Sequence, residues 1–216
     1  MVYTSDIMRI TKYPSTKYLP WSRSVEDGDR IIDDMSAFEG NRVIMTEKMD
    51  GEGTSMYHSK LHDRSLDSVN HPSRNWVKNF WGGIRHNIPY DVRICGENCY
   101  AKHSIYYTNL STYFYGFNAW IDNTCLSWDD TLDIFEKLDI VPVRVIYDGI
   151  YDEKFISDYE FDERKMEGYV LRTADAFQLH EFGSHLGKHV RAGHVQTDEH
   201  WMKQQITPNI LGVVHL

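Results

Sequence analysis

The sequence predicts an α+β fold built on antiparallel sheets. Segments of strand character outnumber those of helical periodicity, and neighbouring strands are joined by short, glycine-bearing turns. No repeat, low-complexity tract or Pro/Ser-rich linker divides the chain, so residues 1–216 read as one domain, long enough to bury a substantial core.

In chain order, residues 43–48 and 53–58 flank Asp50-Gly51-Glu52-Gly53 and read as an antiparallel pair around a glycine-dependent turn. Residues 74–86 (RNWVKNFWGGIRH) begin as a helix that Gly82-Gly83 should interrupt, with Trp76, Phe80 and Trp81 turned into the core. Residues 91–99 and 112–120 are strands. Ser127 opens a capping-box pattern, and Trp128, Leu132, Phe135 and Leu138 follow close to helical spacing, which marks a core stripe. Residues 141–147 read as a strand, 151–159 as a short helix, 167–172 as a strand and 197–206 as a last helix.

Composition narrows the function. Hydrophobic residues make up 41% and charged residues 25%, the balance of a soluble globular protein. No apolar run approaches a membrane span, and the start MVYTSDIMRITK lacks a signal-peptide core. Cys95, Cys99 and Cys125 cannot all pair and form no CxxC pattern, so they read as reduced thiols of a cytoplasmic protein. The net charge of −9 argues against a protein that coats nucleic acid with a broad basic face, but leaves room for a local basic groove. No GxxxxGK[ST] loop is present. His180, His185, His189, His194 and His200 match no zinc spacing and read as surface or substrate-facing residues.

Lys48 stands in TEKMDGEGTSMY, directly after the apolar run Val43-Ile44-Met45. Taken alone, Lys-x-Asp-Gly describes a solvated turn. Further charged groups change that reading, because they recur at the ends of apolar segments. Arg64-Ser65 follows the second strand, Gly96-Glu97 ends VRIC, Phe117 sits in FYGFN, Glu167-Gly168 opens YVLR, and Lys188 and Arg191 lie in GKHVR.

In this order and spacing the motifs resemble the covalent nucleotidyltransferase superfamily, which contains ATP-dependent DNA and RNA ligases and mRNA capping enzymes. The similarity runs from KYPSTKYLPWS (12–22) to HVQTDEHW (194–201), and GENCYAKHSIYY (96–107) and VRAGHVQTDEHW (190–201) are similar to RNA ligases of the RNA ligase 2 type and their nick-sealing relatives. The resemblance implies a nucleotidyltransferase (ATP-grasp-like ligase) fold with antiparallel sheets flanked by helices, here a single adenylyltransferase domain without an appended OB-fold. Lys48 would attack the α-phosphorus of ATP and become lysyl-AMP. AMP would then pass to a 5′-phosphate of RNA, and a 3′-hydroxyl would displace it to seal the break.

The resemblance also implies roles. Phe117 would stack on adenine, Glu97 would accept from the ribose hydroxyls, and Glu47 would help read the adenine edge. Glu167 would bind Mg²⁺ or Mn²⁺, hard cations that prefer oxygen ligands. Asp50 would shape the nucleophile turn and contact metal-bound water. Lys188 would hold the α-phosphate, with Arg191 nearby, and Arg64 would hold the AMP phosphate or the RNA end. Lys102 and His103, with Tyr106, either face phosphates of the RNA or form an ordinary polar loop. The nearby Lys188 and a bound metal are expected to disfavour the ammonium form of Lys48.

Two positions depart from the family pattern. Asn118 stands where relatives commonly carry Asp after the stacking strand, and Arg191 stands where a second lysine is common; arginine binds phosphate with different geometry. The implied partner is RNA with 3′-OH and 5′-phosphate ends, a nicked duplex being the expected form, with a broken tRNA loop or free strands as alternatives. Affinity should be modest and fall with added salt. The rival readings are a DNA nick ligase, a GTP-using capping-type guanylyltransferase and a non-catalytic RNA-end binding protein.

Overall fold

The computed structural model describes residues 10–66, 70–192 and 205–212. Its strands are β1 (Lys17–Tyr18), β2 (Arg42–Lys48), β3 (Glu52–Met56), β4 (Leu61–His62), β5 (Val92–Asn98), β6 (Phe114–Ile121), β7 (Thr124–Cys125), β8 (Val141–Pro142), β9 (Val145–Ile150), β10 (Gly168–Thr173), β11 (Phe177–Gln178) and β12 (Leu186–Val190). The helices are α1 (Asn75–Ile84), α2 (Trp128–Lys137), α3 (Glu153–Ser157) and α4 (Phe182–His185). The α+β class is as the sequence predicts, and most pairings are antiparallel.

The strands form two sheets. A five-stranded sheet runs β1-β12-β10-β2-β9, and a seven-stranded sheet runs β11-β7-β6-β5-β3-β4 with β8 added beside β6. The strands expected to pair around Asp50 therefore do not pair. β2 lies between β10 and β9 in the first sheet, whereas β3 lies between β5 and β4 in the second. Both faces of β2 are covered, which explains its uninterrupted apolar run. Val43 and Met45 enter the core that contains Phe38, Ile156, Tyr169 and Leu171, while Ile44 points the other way, toward Tyr115, Trp128 and Val143. A hairpin with β3 would compete for an edge of β2 that β9 or β10 already fills.

The region read as one strand, 141–147, is also divided. Val141–Pro142 runs parallel to β6 in the second sheet, and Val145–Ile150 pairs with β2 in the first. Helix α1 continues through Gly82-Gly83 rather than stopping. A Cβ at either position would meet nothing within 4 Å, so the glycines face open space and the packed side, Trp76, Phe80, Trp81 and Ile84, carries the helix. Ser127 caps α2, accepting from Asp130 N at 3.1 Å. Behind it Trp128, Phe135 and Leu138 are buried as the stripe predicts. The helix expected over 197–206 lies, for residues 197–204, outside the described residues.

Two hydrophobic clusters join the sheets. One holds Ile44, Met49, Tyr115, Trp128 and Val143, and the other holds Cys95, Trp120, Cys125, Phe182 and Leu186. The three cysteines are buried and unpaired. Among the described residues no helix is long and apolar enough to cross a membrane.

Candidate active site

Between the sheets opens a cleft of about 940 Å³. Met49–Gly51 carries the chain across it, from the end of β2 to the start of β3. Gly51 is needed for this passage, since a Cβ there would lie 2.6 Å from the Asn98 carbonyl oxygen. Lys48 thus stands at the last position of a central strand, on the seam between two sheets.

The first sheet supplies the charged groups closest to Lys48. Gly168 of β10 is in register with Lys48, so Glu167, one residue earlier, reaches the amine: Lys48 Nζ donates to Glu167 Oε2 at 2.6 Å. Glu167 is only 2% exposed. Gly168 permits the close approach of β12, because a Cβ there would lie 2.0 Å from His189 O. On β12, Lys188 sits opposite Val170 and holds its ammonium 4.0 Å from the centre of the Tyr18 ring, a cation–π contact.

The second sheet supplies Glu97 and Phe117. Glu97 is opposite Gly53, so no side chain covers it from that strand. Between β5 and β6 the register shifts: Cys95 faces Asn118 and Gly96 faces Gly116, leaving Phe117 as the extra residue of a bulge. A bulge re-aims the side chain it carries. Phe117 lines the cleft, with Tyr13 packed edge-on against it at 5.5 Å.

The other candidates divide. Glu47, Asp50, Arg64, Lys102 and His103 line the same cleft. Glu47 is already engaged, accepting from Arg144 Nε at 2.7 Å. Asp50 is buried, and its Oδ2 accepts from Ser104 Oγ at 2.7 Å and from Ile105 N at 2.6 Å, contacts that hold the turn. Arg191 is not among the lining residues; its Nη2 donates to Ser104 Oγ at 3.1 Å and so buttresses the turn from behind. Lys102 leans toward the Tyr106 ring at 5.7 Å.

Asn118 has a definite place. Its Oδ1 accepts from Arg172 Nη1 at 2.7 Å and its Nδ2 donates to Tyr13 Oη at 2.6 Å, so a neutral amide links a buried cation to a phenol on the cleft wall. Sequence reasoning missed Tyr13 and Arg172. It also missed the buried group in which Arg74 pairs with both Glu52 and Asp63, tying the start of β3 to the turn that carries Arg64. The only sequence signal was their position beside motif residues, and pairing across the cleft is a tertiary matter.

The amines of Lys48 and Lys188 are shifted in opposite directions. Burial pulls the Lys48 amine down, but Glu167, Glu97 and Asp50 outweigh it and hold the ammonium above the ordinary lysine range. Lys188 is the amine that is lowered, to about 8, by burial and then by the charge of Lys48. Glu97 is raised to about 8 by burial, with Glu167, Asp50 and Glu52 adding to the rise and Lys48 opposing it. Around Lys48 the carboxyl groups of Glu167, Glu97 and Asp50 are thus gathered in one part of the cleft. Such oxygen donors suit a hard divalent cation. Among the described residues no group of three His, Cys, Asp or Glu could hold one alone, so an ion here would need ligands from a substrate or water as well.

A family model described as RNA ligase matches residues 41–190. No curated protein sequence matches the chain. Among solved structures, a putative ATP-dependent DNA ligase from Aquifex aeolicus is similar at TM-score 0.56 and 18% identity, over 84% of this chain and 50% of that one. A mutant RNA ligase from Naegleria gruberi with AMP and Mn is similar at TM-score 0.53 and 14% identity, over 84% of this chain and 56% of that one. At these identities the likeness is one of fold, and the chain spans about half the length of the solved ligases it matches. The matched stretch begins one residue before β2 and ends with β12, enclosing every strand that brings Lys48, Glu97, Phe117, Glu167 and Lys188 to the cleft, and on that match the chain belongs to the RNA ligase family.

Proposed function

We propose that the chain is an ATP-dependent RNA ligase that seals 3′-OH/5′-phosphate breaks through lysyl-AMP and RNA-adenylate. The observation that carries this reading is the convergence of Lys48, Glu167, Lys188, Glu97 and Phe117, from two sheets, on one cleft. An amine at the end of a rigid strand, two further carboxylates, a second cation and an aromatic face are the parts needed to hold a nucleotide and open its phosphoanhydride.

In the first step the neutral Lys48 amine forms a P–N bond to the α-phosphorus while the P–O bond to pyrophosphate breaks. Lys48 must lose a proton first, and its hydrogen bond to Glu167 offers the nearest acceptor. Glu167, with phosphate oxygens of the nucleotide, would hold Mg²⁺ or Mn²⁺, and Asp50 would contact its bound water. A divalent ion there supplies charge neutralisation, which lowers the Lys48 amine. Lys188 would meet the charge on the α-phosphate, Phe117 would stack on the base, and Glu97 would accept from the ribose hydroxyls. Arg64, Lys102 and His103 also line the cleft and would meet the RNA end.

Mixing the protein with ATP and Mg²⁺ should add the mass of one AMP, and Lys48→Ala should take up none. Label retained from GTP and not from ATP would sink the reading in favour of a guanylyltransferase. Sealing matched nicked RNA, nicked DNA and hybrid duplexes then identifies the substrate; efficient sealing confined to DNA would replace RNA ligase with DNA ligase, and no adduct at all would leave an RNA-end binding protein.

A further inference from the structure

We infer that Asn209 is a positioning residue for the Lys48 turn, acting through the loop 99–113 that connects β5 to β6. The inference rests on the ligase reading above. Asn209 lies beyond the 41–190 stretch that matches the family.

The loop has little sheet structure of its own. Besides the closure by Cys99 N on Tyr113 O at 2.7 Å and side-chain acceptors at Asn98, Asp50 and Tyr115, its backbone is held by residues 205–212, which lie along it like a short extra strand. Lys102 N donates to Thr207 O at 2.8 Å, Ile210 N to Tyr107 O at 2.9 Å, and Leu110 N to Ile210 O at 3.0 Å. Asn209 is the centre of this strap and is 2% exposed. Its N–H donates to Tyr100 O at 2.8 Å and its carbonyl accepts from Tyr113 Oη at 2.9 Å. Its side chain is used at both ends: Oδ1 accepts from Tyr107 N at 2.9 Å, and Nδ2 donates to Cys99 O at 2.8 Å. Of the common side chains only an amide supplies that acceptor and donor together at this length.

The other side of the same loop grips the nucleophile turn. Tyr107 Oη accepts from Asp50 N at 2.9 Å, and Ser104 Oγ and Ile105 N both donate to Asp50 Oδ2. Asp50 is two residues from Lys48. The path is thus short and made of hydrogen bonds throughout: Asn209 fixes Tyr107 by its backbone, Tyr107 fixes Asp50 by its hydroxyl, and Asp50 fixes the turn that aims Lys48. Without the strap the loop loses the backbone partners of Lys102, Tyr107 and Leu110, and Asp50 a rigidly placed Tyr107. Attack on phosphorus is sensitive to misplacement of about 1 Å, so the cost should appear in the rate of AMP attachment rather than in nucleotide binding.

The test follows single-turnover AMP attachment, by mass spectrometry, across an ATP series for the wild type, Asn209→Ala, Tyr107→Phe and the double variant. Folding is monitored by circular dichroism. We expect each single variant to lower the saturating rate about tenfold, to leave half-saturation by ATP within about twofold, and the double variant to be no slower than the worse single one. Tyr107→Phe removes one hydroxyl and decides the matter if Asn209→Ala does not fold. A saturating rate within twofold of wild type in the folded single variants overturns the inference, and so does a double variant slowed by the product of the two single factors. No adduct on the wild type instead overturns the ligase reading, and the inference with it.

Discussion

The two walls of the cleft are built differently. On the first sheet, Lys48, Glu167 and Lys188 sit at or next to register positions on the neighbouring strands β2, β10 and β12, and their spacing is set by the ladder itself. On the second sheet, Phe117 enters through a bulge, and Asp50 is held by the loop between β5 and β6. A ladder tolerates no change of register without turning every side chain over, whereas bulges and loops can be adjusted one residue at a time. On the proposed reading this contrast becomes a division of labour: the first wall would carry the reacting amine and its charges, the second the recognition of the nucleoside and the aim of the turn.

The strongest challenge to that division is Lys48→Ala, which should abolish the AMP adduct altogether; a labelled protein in this variant would place the nucleophile elsewhere. Next in size, Glu167→Gln should slow AMP attachment at saturating ATP by about 10²- to 10³-fold, the scale of losing one charged partner in a closed site. The sign of its pH effect follows from the charges. Glu167 is the leading group that holds Lys48 up against burial, so without it the amine titrates lower and the rising limb of the rate profile moves to lower pH.

Phe117→Ala probes the other wall. Loss of a base-stacking face costs about 1–3 kcal/mol, so half-saturation by ATP should rise about tenfold while the saturating rate changes little. A fall in rate at unchanged half-saturation would break the proposed division. The smallest effect concerns Lys188. Its pKa of about 8 means that it loses its charge as pH rises through 8, and half-saturation by ATP should rise over that range. Lys188→Arg keeps its charge there and should flatten the rise, measured as half-saturation between pH 7 and 9.

Much of the site was visible along the chain because its chemistry is local. Lys48, Glu97 and Glu167 lie at or beside strand ends next to a glycine or a turn, and β5, β6 and α2 follow the alternation or periodicity of their apolar residues. The error at β2 and β3 has an equally local origin. A short glycine-bearing connection is what a hairpin needs, and nothing in residues 42–56 states that β9 and β10 will occupy both edges of β2. The same holds for 141–150, where one apolar run serves two sheets. Asn118 meets Tyr13 across 105 residues of sequence and Arg172 across 54, and no spacing rule reaches that far.

The sequence by itself determined the α+β class, the single run of motifs and the identities of the groups that could react, since residue type and short-range periodicity are properties of the chain alone. Only the tertiary structure decided which strands share a sheet, where the bulge aims Phe117, and that neighbouring carboxylates raise the Lys48 amine while burial lowers that of Lys188. Those outcomes depend on distances between residues far apart in the chain, and both strand pairing and electrostatic sign are settled by what lies across the space, not along the backbone.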